Sequence, residues 1–150
     1  MKQLFTRLII LLIPFGLQAQ SSLNMNLVGS WDDDDLPAAF YGSFNEVWGY
    51  TDCDGNEYAI LGSSGYIHFF DLADPTQPEE IARFEGGDVT VWRDIKTYED
   101  HVYTVCDGCG EGMMIFDLSN LPDEVVKVDQ TNAFFDNSHN IFIDEDQIKI

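Results

Sequence analysis

"EYAILGSSGYIHFFDLADPTQPEEIARF", residues 57–84, and "HVYTVCDGCGEGMMIFDLSNLPDEVVKV", residues 101–128, carry one pattern in one order. Set against each other, Tyr58 falls on Tyr103, Phe70-Asp71-Leu72 on Phe116-Asp117-Leu118, and Pro78-Glu79-Glu80 on Pro122-Asp123-Glu124. A further strand-like run precedes each copy, "NEVWGYTDCDGN" and "VWRDIKTYED", and the pattern starts again in "SHNIFIDEDQIKI". Short apolar and β-branched runs alternate with turn residues, and almost nothing shows a sustained helical period. A repeat of about 45 residues holding four strands predicts an all-β protein made of β-propeller blades, each of four antiparallel strands. A single blade cannot bury both of its faces, which is the physical reason for repetition.

Within each copy the "FDL" segment has a structural part to play. Phe70 and Leu72, like Phe116 and Leu118, are expected to point into a blade interface. Asp71 and Asp117 are expected to point the other way and accept backbone N–H bonds in the turn that follows, where prolines fix the geometry. The runs "NLVGSW" (26–31) and "HNIFID" (139–144) read as two more strands, one a closing N-terminal strand and one the first strand of a third blade.

Outward from the repeat, residues 1–20 place Lys2 and Arg7 ahead of the apolar run Leu8 to Leu17 and end in small or polar residues, the pattern of a secretory signal peptide. The run is shorter than the roughly 20 apolar residues of a membrane span, and no other stretch approaches that length. The mature chain, 21–150, is therefore expected to be exported, with no membrane span after signal removal. Losing Lys2 and Arg7 takes the formal charge from -20 to -22. That field repels nucleic acid and anionic membranes. Disorder does not explain the acidity, because 13% of the chain is aromatic.

Cys53, Cys106 and Cys109 are an odd number for an exported chain. "CDGCG" (106–110) fits a turn disulfide between Cys106 and Cys109, unpaired turn cysteines, or a thiol redox site; the last needs a cationic or helix-terminal setting that Asp107 and Glu111 do not supply.

The stretches "NLVGSWDDDDLP", "NEVWGYTDCDGNEYAILGSSGYIHFFDLADP", "WRDIKTY" and "SHNIFID" together resemble the choice-of-anchor B family of exported bacterial proteins with LVIVD-type β-propeller repeats. The resemblance spans nearly all of residues 25–146. It implies a secreted or cell-surface protein whose C-terminal end carries one of several anchoring or sorting signals; Bacteroidetes-like members usually end in a type IX secretion sorting domain. It implies no established biochemical activity. The chain reaches Ile150 inside what reads as the second strand of a blade, so the rest of the propeller and a C-terminal anchor are expected beyond it. The cysteines of "CDGCG" are not part of the family pattern.

Aligning the repeats on their first strands gathers Asn45-Glu46, Arg93-Asp94 and Ser138-His139-Asn140 at one end of the channel that innermost strands line. Asn45, Glu46, Arg93, Asp94, His139 and Asn140 are thus the candidate ligand-binding residues, and Arg93, Asp94 and His139 the candidate catalytic ones. They could hold a cation, or polarise a substrate through Arg93 while His139 acts as acid or base. They could equally be structural polar pairs. Two acidic runs offer carboxylates to calcium, Asp32, Asp33, Asp34 and Asp35 in "WDDDDLP" and Asp52 and Asp54 in "DCDGNE". The second also reads as a β-hairpin turn with Asp54-Gly55 at its tip. No nucleophile elbow, phosphate loop, zinc-protease or dinucleotide motif is present. The expectation is a binding module for an extracellular protein or glycan, with a metal-assisted hydrolase or lyase as the alternative.

Overall fold

The computed structural model describes residues 25–146, so the expected signal peptide and the "QIKI" run, 147–150, lie outside the described residues. Eight strands form in order: β1 (Phe44–Thr51), β2 (Glu57–Ser63), β3 (Tyr66–Asp71), β4 (Glu79–Glu85), β5 (Arg93–Tyr98), β6 (His101–Cys106), β7 (Met113–Asp117) and β8 (Val126–Thr131). They make two four-stranded sheets, β1-β2-β3-β4 and β5-β6-β7-β8, antiparallel throughout. The described residues contain no helix. The fold is all-β, an incomplete, unclosed propeller of two blades.

The repeat holds in atomic detail at the end of the third strand of each blade. Asp71 Oδ1 accepts the Ala73 N–H at 2.7 Å, and Asp117 Oδ1 accepts the Ser119 N–H at 2.8 Å. Leu72 N donates to Glu57 O at 3.0 Å, and Leu118 N to Asp100 O at 2.8 Å. The third-to-fourth strand pairing slips at Phe69/Phe70 in one blade and at Ile115/Phe116 in the other, the same place in the repeat.

Pairing registers correct the sequence alignment elsewhere. Tyr58 faces Asp71 and His101 faces Asp117, so His101, not Tyr103, is the counterpart of Tyr58. Glu79 pairs with Asp71 and Val126 with Asp117, which displaces Pro122-Asp123-Glu124 from Pro78-Glu79-Glu80. The cause is unequal connections: a short turn, Ser64-Gly65, joins β2 to β3 whereas 107–112 joins β6 to β7, and 72–78 joins β3 to β4 whereas the longer 118–125 joins β7 to β8. Residues 26–31 and 139–144 form no strand. The first lies against blade one through Trp31, whose ring sits 4.8 Å from Phe70 and 5.2 Å from His68. The second has no neighbouring strand among the described residues to complete a ladder.

Side-chain alternation along the strands gives each blade two apolar faces. Ile60, Ile67 and Phe69 of blade one meet Ile95, Val102, Met114, Phe116 and Leu118 of blade two in one buried cluster. Phe70 and His68 take the opposite face of blade one, under Trp31.

His68 is fully buried between Glu80 (Nδ1 to Oε1, 2.8 Å) and Ser63 (Nε2 to Oγ, 2.8 Å). Arg83 in turn binds Glu80 and Asp33. Burial pushes the His68 pKa down despite the Glu80 carboxylate, and the Arg83 hydrogen bond leads the causes that hold Glu80 low. A depressed histidine binds fewer protons folded than unfolded, so His68 withdraws stability as pH falls below about 6.5; Glu80 does the same further down, below about 4.3. Denaturation from pH 8 to pH 5 should therefore cost the wild type more stability than His68→Gln. Relaxing charge repulsion affects both proteins alike, and identical pH slopes would refute the assignment.

Candidate functional site

The loops 37–43, 64–65, 86–92, 107–112 and 132–140 collect at the end where β1 and β5 begin. Tyr50 pairs with Tyr58 and Tyr98 with His101, the counterpart of Tyr58. Phe44 pairs with Ser63 and Arg93 with Cys106, and the β1–β2 register shifts between Phe44 and Val47, so Phe44 rather than Asn45 is level with Arg93 and the bulge carries Asn45-Glu46 off the sequence alignment.

The side chains then part company. Arg93 turns into the blade interface, where its Nε donates to Ser63 O at 2.8 Å and its Nη1 to Glu111 Oε1 at 2.9 Å. Both side chains of that ion pair are 0% exposed, and Arg93 Nη2 has no partner. Asn45 Nδ2 donates to the Arg93 carbonyl at 3.3 Å. Asp94 accepts Lys96 Nζ at 2.5 Å, Ile141 N at 2.8 Å and Asn140 Nδ2 at 3.5 Å, and Lys96 also lies 3.7 Å from Glu46. Burial works to raise the Asp94 pKa, but Lys96 and the two backbone donors outweigh it and hold the carboxyl below its ordinary range. His139 stands in solvent with Nδ1 3.2 Å from Asp107 Oδ2. The structure thus joins Asn45 to Arg93 and Asp94 to Asn140, while Arg93, Asp94 and His139 each answer to a different partner.

Glu111, absent from the sequence candidates, is the residue that organises this end. Its Oε2 accepts Gly87 N at 2.5 Å while Oε1 holds Arg93. Cys106 and Cys109 form a disulfide beside it, and Cys53 is free and exposed. Cys109 O accepts Asp88 N at 3.1 Å, and Cys106 O accepts Ser138 N at 2.9 Å. A side chain at Gly86 would strike the Arg93 guanidinium, and one at Gly87 the Cys109 carbonyl, so both approaches demand glycine. The six-residue connection between β6 and β7 is therefore a stapled strut joining both blades to the chain beyond them. A loop closed over a sequence separation of 3 loses little entropy, so reduction, or Cys106→Ser with Cys109→Ser, should cost about 2 kcal/mol. Reductant should lower the thermal midpoint of the wild type and leave the double variant unmoved.

No known family model, curated protein or solved structure matches this chain. Its chemistry has to be read from its own side chains.

Among the described residues, the one group of three metal-type ligand atoms within 4.8 Å of one another is Cys106, Cys109 and Glu111. The disulfide withholds both thiolates and Arg93 occupies the carboxylate. Within the acidic runs, Asp32, Asp33 and Asp52 make local contacts. Asp32 Oδ1 accepts Asp33 N, Asp33 Oδ1 accepts Asp35 N, and Asp33 Oδ2 lies 2.8 Å from Arg83 Nη2. The Asp35 N–H leads the causes that lower the Asp33 pKa. Asp34 and Asp35 are exposed. Asp52 gathers Asp54 N, Asn56 N and Asn56 Nδ2 at 2.8–3.0 Å around Gly55, whose φ is +86°, with Asp54 at the exposed tip. That is the hairpin-turn reading, with the turn's own donors in the places a cation would take.

A second surface feature also escaped the sequence candidates. The loops leading into β1 and β5, and the segment after β8, display aromatic side chains: Phe40 and Tyr41 in the first, Trp92 in the second, Phe134 and Phe135 in the last. Rings run in contact from Phe40 to Tyr41 (4.8 Å), Tyr41 to Trp92 (5.4 Å) and Trp92 to His139 (5.8 Å). Phe40 is 91% and Tyr41 69% exposed, too much for a core role. The signal was legible as the recurrence of "AFY", "VW" and "AFF" ahead of each polar pair.

Proposed function

We propose that this chain is part of an exported β-propeller module, secreted or held at the cell surface, that binds an extracellular protein or glycan rather than transforming a substrate. One observation carries the reading: Arg93, Asp94 and His139 are engaged by three separate partners, while exposed aromatic surface stands at the same end. A hydrolase or lyase would need those three groups to converge on one reacting atom.

The expectation of further blades has its own support. Tyr98, Tyr103 and Met113, on the face of blade two turned away from blade one, line an apolar groove of about 410 Å³ with Ile141, Phe142 and Ile143. A propeller blade buries such a face against a neighbour. No helix among the described residues is long and apolar enough to cross a membrane. The test of the binding reading is an assay of the full chain on ester, glycoside, phosphate and uronide substrates, with and without millimolar calcium. No turnover is expected; turnover abolished by His139→Ala would replace binding with catalysis.

A further inference from the structure

We infer that the aromatic run at the mouth, Phe40, Tyr41, Trp92 and His139, is a binding site for a neutral glycan. The inference rests on the binding reading above and gives it a ligand class. The groove between the two loops, about 350 Å³, is lined by residues 38–41 and 89–92, none of them charged. The chain around it carries a formal charge of -20. Anionic polysaccharides and nucleic acids meet that field at a distance, and a basic protein partner would find no carboxylate in the lining to pair with. A neutral sugar needs neither: its C–H faces lie on aromatic rings and its hydroxyls seek hydrogen-bonding groups at the edge.

Both requirements are present. Successive rings turn by 80°, 50° and 39°, so the run is a twisted series of separate platforms rather than one stack closed on itself. At its end the exposed His139–Asp107 pair offers a ring nitrogen and carboxylate oxygens to hydroxyl groups. The Trp92 backbone is held in place: its amide N–H donates to Thr90 Oγ1 at 3.2 Å and its carbonyl accepts Asp107 N at 2.8 Å. Thr90 is fixed in turn by Asp107 O at 3.0 Å and Ser64 O at 3.0 Å. The backbone that carries the Trp92 ring is thus ordered before binding, which leaves more of the contact energy for affinity.

The test is affinity electrophoresis of the full chain through gels carrying a soluble β-glucan, a galactomannan, a xylan or, as the anionic arm, alginate. Retardation by at least one neutral polysaccharide and none by alginate is expected. Trp92→Ala and Tyr41→Ala should each weaken that retardation at least tenfold, and Trp92→Phe, which keeps a ring, by less. Tyr41 is exposed enough that its removal leaves the fold intact, so the Tyr41→Ala result stands even if Trp92→Ala unfolds. Retardation undiminished in Tyr41→Ala, and in Trp92→Ala where that variant folds, would overturn the site. Retardation by alginate alone, or by no polysaccharide, would overturn the ligand class. In that event the substrate panel above decides the wider binding reading: no turnover leaves it standing, and turnover abolished by His139→Ala removes it as well.

Discussion

Replacing Glu111 with Ala should lower the free energy of unfolding by about 3–5 kcal/mol, the cost of stranding one charge of a buried ion pair. The Arg93 side chain is closed to water. In the wild type its Nε is satisfied by Ser63 O and its Nη1 by Glu111, while Nη2 has no partner. Without the carboxylate, a guanidinium with one remaining hydrogen bond would sit between two sheets, and the Gly87 N–H would lose its acceptor as well. Glu111→Gln keeps the shape and one acceptor oxygen and should cost less. Replacing both partners, Arg93→Met with Glu111→Leu, should cost less than Glu111→Ala alone, because no charge is left unpaired. Denaturant titration reads all three. A Glu111→Ala loss below about 1 kcal/mol, the range of exposed ion pairs, would show that water reaches this pair.

The same pair shows where reading the sequence succeeds and where it stops. Strand content, the blade repeat and the Asp71 and Asp117 turns were legible because alternation and turn residues act between near neighbours, at spacings the sequence displays. The bulge in β1 that puts Phe44, not Asn45, level with Arg93 was not. Where the side chains point was not. Arg93 and Glu111 are brought together by a connection whose length differs between blades, and nothing in "CDGCGEG" announces a guanidinium as its target. The unequal connections also misled the alignment of Tyr58 with Tyr103, since matching residue types outran the strand register. The exposed aromatics lay in plain view, yet an aromatic in a β-rich sequence is ordinarily core, and only their exposure separates Tyr41 and Trp92 from Phe69 and Phe116.

Phe116→Ala should cost about 3–5 kcal/mol through lost burial and the cavity left behind. Its ring is wholly buried, 5.3 Å from Phe69 and 4.9 Å from Phe84 between ring centroids, so it stands in blade two while its neighbours belong to blade one. That placement makes the effect shared. In a repeat protein, stability is a sum of unit terms and interface terms, and a residue at the interface weakens both units at once. Tryptophan fluorescence and backbone circular dichroism should report one transition, shifted together, because Trp31 and Trp48 lie on blade one and Trp92 at the entrance to blade two. The backbone signal comes from both sheets. Tyr103 supplies the control: its side chain faces the open groove of blade two, so Tyr103→Ala should cost well under half as much. If Phe116→Ala instead splits the denaturation into two steps, each blade folds alone, and the buried cluster between them is not what makes the pair a unit.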